Sequence, residues 1–280
     1  MGSSIRRTDL LALSNLRNDG RKPDEIRRMR VQLGPVSNIG TDNSSETAGG
    51  SALVEMGLTC AMATVRGPIA CIRRSDELPT QAIVDVIIKS VPFASSGGDR
   101  RITNPNSDRR FIEMSHLIKR SLEATLLLQL FPKSRIQVTI VILADDGGRL
   151  CCAINAASAA LIDSGLPIKD ILCACSAGIN ISSDTTLIDL NRQEESSSHG
   201  SKSGAVHLPC AMLPQRGTLV LSQCEARISN FQTLDRVLEA AMAGCRVVFD
   251  IIQAAVRERA SALMQLRNGQ GTVIDSFAVA

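Results

Sequence analysis

Apolar residues change their spacing twice along this chain, in the same order each time: strand-like blocks come first and a stretch with helical spacing follows. The first round runs from about residue 52 to 130 and the second from 135 to 265. Strand and helix periods must each bury an apolar side, so the pattern predicts an α+β fold of pseudo-duplicated build, with mixed sheets packed against long helices.

Within the first round, Ala52–Val65 reads as two strands joined at Gly57, Leu58 and Thr59. Ala82–Lys89, rich in Val and Ile with Asp85 as a polar break, predicts a mostly buried strand. Residues 95–107 hold two glycines and a proline without periodicity, which predicts a loop, and apolar spacing from Ile112 to Leu130 predicts a core-facing helix closed by Pro132. The second round opens with a strand at Arg135–Leu143, a turn at residues 145–149 and an Ala-rich helix at Cys151–Ser164. Strands are then predicted at Asp170–Ala177 and Leu187–Leu190, a hairpin at Val206–Leu213 and Thr218–Cys224, and a long helix from about Thr233 to Met264. The polar, Ser-rich run at 192–205 cannot bury apolar area and reads as a surface excursion. One domain over 16–265 is expected, with an extension at 1–15 and a tail at 266–280.

At 280 residues and 44% hydrophobic content, the chain can bury a core without metal or disulfide staples. It carries no uninterrupted apolar run of membrane-spanning length and no secretion signal at Met1–Leu13. Nine cysteines lie mostly in apolar stretches and form no CxxC pair, which predicts reduced, buried thiols and a cytosolic or nuclear setting. Net charge is only +3, yet arginines cluster at Arg27, Arg28 and Arg30, at Arg73 and Arg74, and at Arg100, Arg101, Arg109 and Arg110. Clusters of this kind are usually solvated surface. With no Trp or Tyr and six Phe, the composition argues against a nucleic-acid-binding face of stacked aromatics.

The run LRNDGRKPDEIRRMR at 16–30, then GSALVEMGLTCAMATVRGP at 50–68, FIEMSHLIKRSLEATLLLQLFPKSRIQV at 111–138, DDGGRLCCAINAASAALIDSGLPIKDILCACSAG at 145–178 and LIDLNRQEE at 187–195 resemble the RNase PH family in the same order. Within that family the combination is most similar to exosome ring subunits in their eukaryotic form. The resemblance implies the RNase PH-like fold, of the ribosomal protein S5 domain 2-like type, and a ring of alternating RNase PH-like subunits around an RNA channel. It implies as partners single-stranded RNA, other ring subunits, especially one resembling ribosomal RNA processing protein 45, and S1/KH cap subunits. It implies a nuclear and nucleolar location that extends to the cytoplasm, and no membrane.

Phosphorolysis needs inorganic phosphate beside the last phosphodiester, an acidic group, and basic residues on the RNA backbone. Gly147, Gly148 and Arg149 stand at a strand-to-helix turn, where backbone N–H groups and the helix end favour an anion. They match the family's phosphate signature except that Gly148 replaces a hydroxyl residue, a lost donor worth about 1 kcal/mol. Asp189 matches the family's first catalytic carboxylate, and Glu195 stands where active members carry a second aspartate. The added methylene displaces that carboxylate by about 1 Å, which can cost on the order of a hundredfold in rate. Arg109 and Arg110 match paired arginines that bind RNA phosphates in active members, and Arg73 and Arg74 are candidates to line the channel. His116, His199 and His207 show no partner spacing and read as structural or surface residues. No tightly bound cofactor or metal is expected; phosphate would be a co-substrate, with magnesium in an active enzyme. The expected function is a ring subunit that binds and threads RNA for 3′-to-5′ processing and degradation without cleaving it, the alternative being an active phosphorolytic 3′-to-5′ exoribonuclease.

Overall fold

The computed structural model describes residues 16–17, 19–36, 49–71, 77–94, 108–180, 185–195, 206–224 and 231–267. Its strands are β1 (Met29–Leu33), β2 (Gly50–Met56), β3 (Thr59–Ala70), β4 (Ile83–Ser90), β5 (Ser134–Ala144), β6 (Cys173–Asn180), β7 (Thr185–Ile188), β8 (His207–Leu213) and β9 (Thr218–Ser222). The helices are α1 (Arg109–Thr125), α2 (Arg149–Asp163) and α3 (Phe231–Arg267). The fold is the expected α+β arrangement.

Five strands form one sheet in the order β1-β2-β3-β5-β4, and four form a second in the order β7-β6-β8-β9. The first sheet is mixed, since β4 runs parallel to β5 while the other neighbouring strands pair antiparallel. The second is antiparallel throughout. Alternation explains the burial: Ala61, Ala63 and Val65 of β3 and Ile136, Val138, Ile140 and Ile142 of β5 point into the core, and the residues between them are half-buried on the other face.

Helix α2 lies between the two sheets, packing on β2 and β3 from one side and on β6 and β8 from the other. Every residue from Cys151 to Leu161 is therefore buried. Five alanines in α2 keep it thin enough for that position, while Ile154 and Leu161 supply bulk worth about 1.5–3 kcal/mol each on burial. The approach is close enough that a Cβ on Gly50 would lie 2.3 Å from the backbone nitrogen of Ser164. Asn155 resolves the polar cost inside this layer. Its amide donates to the Ala174 carbonyl at 2.9 Å and its oxygen accepts from the Ala174 N–H at 2.8 Å. The side chain thus replaces a neighbouring strand where β7, paired only with Ala177–Asn180, does not reach. Helix α3 covers the far side of β6 and β8 with Val237, Ala241, Cys245, Val248 and Ile252.

The structure departs from several sequence expectations. Strand β1 lies in the arginine-rich 27–30 run, where Met29, Val31 and Leu33 alternate with Arg30 and Gln32. Arg27 is buried rather than solvated, at 6% exposure. The strand at 83–90 is not buried on both faces but alternates at the sheet edge. Helix α1 stops at Thr125, not Leu130, because Leu126 turns extended to bridge Ile168, and a short 3-10 turn at Leu128–Leu130 follows. β6 starts at Cys173, not Asp170, since the Asp170 carboxylate accepts from the backbone N–H groups of Ile171, Gln215 and Arg216 and holds a corner there. Residues 192–195 form a helical turn, whereas the rest of the Ser-rich run lies outside the described residues, as do the predicted loop at 95–107 and the tail from 268. Eight of the nine cysteines are buried or half-buried, all nine are free thiols, and no helix among the described residues is long and apolar enough to cross a membrane.

Candidate functional site

The turn between β5 and α2 is shaped by two consecutive glycines in the left-handed region, Gly147 at φ 89° and Gly148 at φ 67°. A Cβ on Gly147 would meet the backbone nitrogen of Arg192 at 2.5 Å, so the residue is required by the approach of the segment 189–195. The Arg192 N–H donates to the Asp146 carbonyl at 2.9 Å and closes that approach. Thr59, fully buried, braces the turn from below by donating to the Gly147 carbonyl at 2.7 Å and accepting from the Asp146 N–H at 3.0 Å.

Arg27 joins the two segments. Its backbone N–H and Nε donate to Asp189 Oδ2, each at 2.9 Å, and its Nη2 donates to Oδ1 at 2.7 Å. The same guanidinium donates to the carbonyls of Asp146 and Gly147 at 3.1 and 3.2 Å. Burial alone would lower the pKa of Arg27, but the bond and charge of Asp189 outweigh it and raise it, so the guanidinium stays charged. Asp189 is 0% exposed and sits at φ 55°, a left-handed conformation that a non-glycine residue holds only when its surroundings enforce it.

The 189–195 segment is fastened further by the stretch of chain before β1. Asn191 and Glu194 form a reciprocal cap, with Asn191 Oδ1 accepting from the Glu194 N–H and Glu194 Oε2 accepting from the Asn191 N–H, each at 2.9 Å. Arg17 donates to both oxygens of Glu194 at 2.9 and 2.5 Å and to the carbonyls of Ile188 and Asp189 at 2.5 and 2.9 Å. Asp19 accepts from the Asn191 amide at 3.0 and 2.8 Å. Burial raises the pKa of Asp19, but hydrogen bonds from Asn191 and Arg21 and the charges of Arg21 and Arg17 reverse the sign and hold it low. Sequence reasoning misses Arg17, Asp19 and Glu194; the Asn-x-x-Glu spacing at 191–194 is the signal that could have found the cap.

This frame delivers Glu195 to the glycine turn. Its Oε1 accepts from the Gly148 N–H at 2.7 Å, and His207 Nε2 lies 3.4 Å from the same oxygen. Burial pushes the Glu195 carboxyl up, offset in part by the Gly148 N–H, with Asp145 raising it and Arg149 and Arg27 lowering it. The Gly147 N–H donates to Asp145 Oδ1 at 3.2 Å, and Arg149 Nη1 lies 3.5 Å from Asp145 Oδ2. Gly147, Gly148, Arg149, Asp189 and Glu195 thus meet in one place, and both glycine N–H donors are already satisfied by carboxylates of the chain. The residues do not suit a hydrated magnesium ion, because Asp189 is sealed from solvent and spends both oxygens on Arg27. Among the described residues no group of three His, Cys, Asp or Glu could hold a metal.

Arg109 and Arg110 open α1. The chain leaves the C-terminal end of β4 before α1 and returns at Leu128, whose carbonyl accepts from the Ala82 N–H at 3.0 Å ahead of β4. The start of α1 is thereby set toward the end of the sheet where β5 runs into the glycine turn. Both arginines are exposed, and Arg109 donates to Glu113 at 2.8 Å. Arg73 and Arg74 lie outside the described residues, as does His199.

The RNase PH family model, described as 3′ exoribonuclease family, domain 1, matches residues 25–167, a span that contains Arg27 and the glycine turn. The chain belongs to the RNase PH family. Relatives in this family include the human exosome complex component RRP41, 35% identical over 252 residues that cover 89% of this chain and 94% of that one. The exosome complex component Rrp41 of Methanopyrus kandleri is 30% identical over 250 residues, covering 89% and 95%. Among solved structures, rice Rrp46 superposes with a TM-score of 0.69 at 24% identity, over 86% of this chain and all of that one. A subunit of the Archaeoglobus fulgidus exosome with RNA bound to the active site superposes with a TM-score of 0.64 at 22% identity, over 85% and 92%. These superpositions show that the two-sheet architecture around α2 is the RNase PH fold. In this RNase PH chain, Arg27 and Asp189 are the residues that lock the glycine turn to the 189–195 segment.

Proposed function

We propose that the chain is a ring subunit of an RNA exosome that binds and threads single-stranded RNA for 3′-to-5′ processing and degradation, ribosomal RNA included, without cleaving the RNA itself. The observation that carries the non-catalytic part is the Glu195 carboxylate on the Gly148 N–H at 2.7 Å. An incoming phosphate would have to expel a buried carboxylate of its own charge from the donors it needs. Asp189 is fully enclosed, and Arg27 holds both of its oxygens. The ring role rests on the family and on relatives named as exosome components. In this reading the neighbours are RNase PH-like subunits, one of them resembling ribosomal RNA processing protein 45, with S1/KH subunits as a cap. The setting is the nucleus, nucleolus and cytoplasm, in keeping with free thiols throughout the described core.

The second reading, an active phosphorolytic exoribonuclease, is favoured by Arg149, whose side chain is 42% exposed at the helix start and could clamp a phosphate. The test is reconstitution with neighbouring ring subunits and a labelled single-stranded RNA, with and without inorganic phosphate, beside an Arg149→Ala control. RNA binding without release of nucleoside diphosphates is the expected result. Phosphate-dependent release that the control abolishes would replace the first reading with the second.

A further inference from the structure

Val91, Pro92, Phe93 and Ala94 form a β-turn just after β4. The Ala94 N–H donates to the Val91 carbonyl at 3.0 Å, and Pro92 stands at the second position, where its fixed φ suits the turn. Two further bonds fasten the turn to β5. The Val91 N–H donates to the Ile142 carbonyl at 3.1 Å, and the Ala94 carbonyl accepts from the Asp145 N–H at 2.9 Å. Ala94 is buried, whereas Phe93 between these anchors is 73% exposed. A single exposed apolar side chain is ordinary by itself. Here, however, the backbone that carries the ring is fixed at three points, so little ordering is left for a ligand to impose.

The position of the ring gives it a use. Asp145, which Ala94 holds by the backbone, accepts from the Gly147 N–H at 3.2 Å through Oδ1 and lies 3.5 Å from Arg149 Nη1 through Oδ2. Phe93 is therefore one residue from the contact that fixes the partner of both Arg149 and the glycine turn. The same end of the sheet receives the start of α1, where Arg109 and Arg110 are exposed. Of the other described phenylalanines, Phe111 is buried, Phe131 and Phe249 are half-buried, and exposed Phe231 opens α3.

We infer that Phe93 is a stacking platform for one base of the single-stranded RNA whose phosphates Arg109 and Arg110 neutralise. The inference rests on the RNA-binding reading and deepens it. Arginines on the backbone leave the bases without a contact. An aromatic ring beside them takes a base without reading it, because every base has a π-face. One platform is not a face of stacked aromatics, so a chain with six Phe and neither Trp nor Tyr can still supply it.

The reconstituted ring is prepared with the unaltered chain and with Phe93→Ala, Phe93→Leu and Phe93→Trp. Each is titrated against a labelled single-stranded RNA and against an oligomer of the same length with an abasic ribose at every position. Phe93→Ala should weaken RNA binding about 5- to 140-fold, which is the 1–3 kcal/mol of stacking per base at 1.4 kcal/mol per tenfold. Phe93→Leu should lose affinity too, and Phe93→Trp should keep it. On the abasic oligomer the unaltered and Phe93→Ala rings should bind alike. The slope of log affinity against log salt should not change in Phe93→Ala, because no phosphate contact has been removed. Since the side chain is exposed, the melting temperature of each variant should match that of the unaltered chain. Equal RNA affinity in Phe93→Ala, or an equal loss on the abasic oligomer, overturns the inference. So does full affinity in Phe93→Leu, which would make the contact merely apolar. Failure of Phe93→Ala to enter the ring would do the same, by making Phe93 a contact between subunits. If the unaltered ring binds no RNA, the reading beneath falls as well; if it binds RNA and Phe93→Ala changes nothing, only the stacking falls.

Discussion

Removing the guanidinium of Arg27 would strip Asp189, fully enclosed, of its side-chain donors at 2.9 and 2.7 Å. Breaking one half of a buried ion pair costs about 3–5 kcal/mol, so Arg27→Ala should lower stability by that amount in urea denaturation. Asp189→Asn, which keeps the shape and some of the hydrogen bonds, should cost less. Glu195 titrates in the opposite sense to most surface carboxylates. Burial raises its pKa in the folded state, so the folded form binds the proton more tightly than the unfolded chain. Its contribution to stability is then present below the ordinary glutamate value and lost as pH rises through the raised value. Glu195→Gln should flatten that fall when unfolding is followed across mildly acidic to neutral pH. A steeper fall in the variant would contradict the assignment.

At the scale of elements, α2 is the piece on which both sheets depend, and its packing leaves little slack. Gly50→Ala would drive a Cβ to 2.3 Å from Ser164 N and 2.4 Å from the Ala160 carbonyl, all of it backbone. Overpacking of this kind costs about 1–3 kcal/mol, and the thermal midpoint should drop accordingly. Asn155→Leu should be worse than its size change implies, because it orphans the N–H and C=O of Ala174 at about 1–3 kcal/mol each. Hydrogen exchange at the Ala174 amide would report the loss directly. Neither residue stands out in the sequence: Gly50 lies just before the strands predicted from Ala52, and Asn155 lies within an Ala-rich helix. Only the position of α2 between two sheets gives either one its role.

For the whole molecule, the proposed threading of RNA places charge rather than base recognition at the centre. In a reconstituted ring, Arg109→Ala with Arg110→Ala should weaken single-stranded RNA binding equally across sequences. For each phosphate no longer neutralised, the slope of log affinity against log salt should become shallower by about 0.7. A change confined to particular sequences would argue that these arginines do something other than hold the backbone.

Apart from β1, which lies in the arginine-rich run, the linear order of strands and helices was determined by local spacing, since period 2 and period 3.6 bury different sides and are visible in any window of a dozen residues. The glycine turn at 147–148 and the match of the chain to its family were legible in the same way, from short runs of neighbours. What the tertiary structure alone decided is the use of those residues. Arg27 and Asp189 stand 162 positions apart, and nothing local distinguishes Arg27 from its exposed neighbour Arg28 until the chain folds it against a buried carboxylate. Glu195 lies 47 residues from Gly148, and its reach to that N–H depends on a frame built by Arg17, Asp19, Asn191 and Glu194. Burial and partnership are properties of distance in space, and a pattern of neighbours in sequence carries no measure of it.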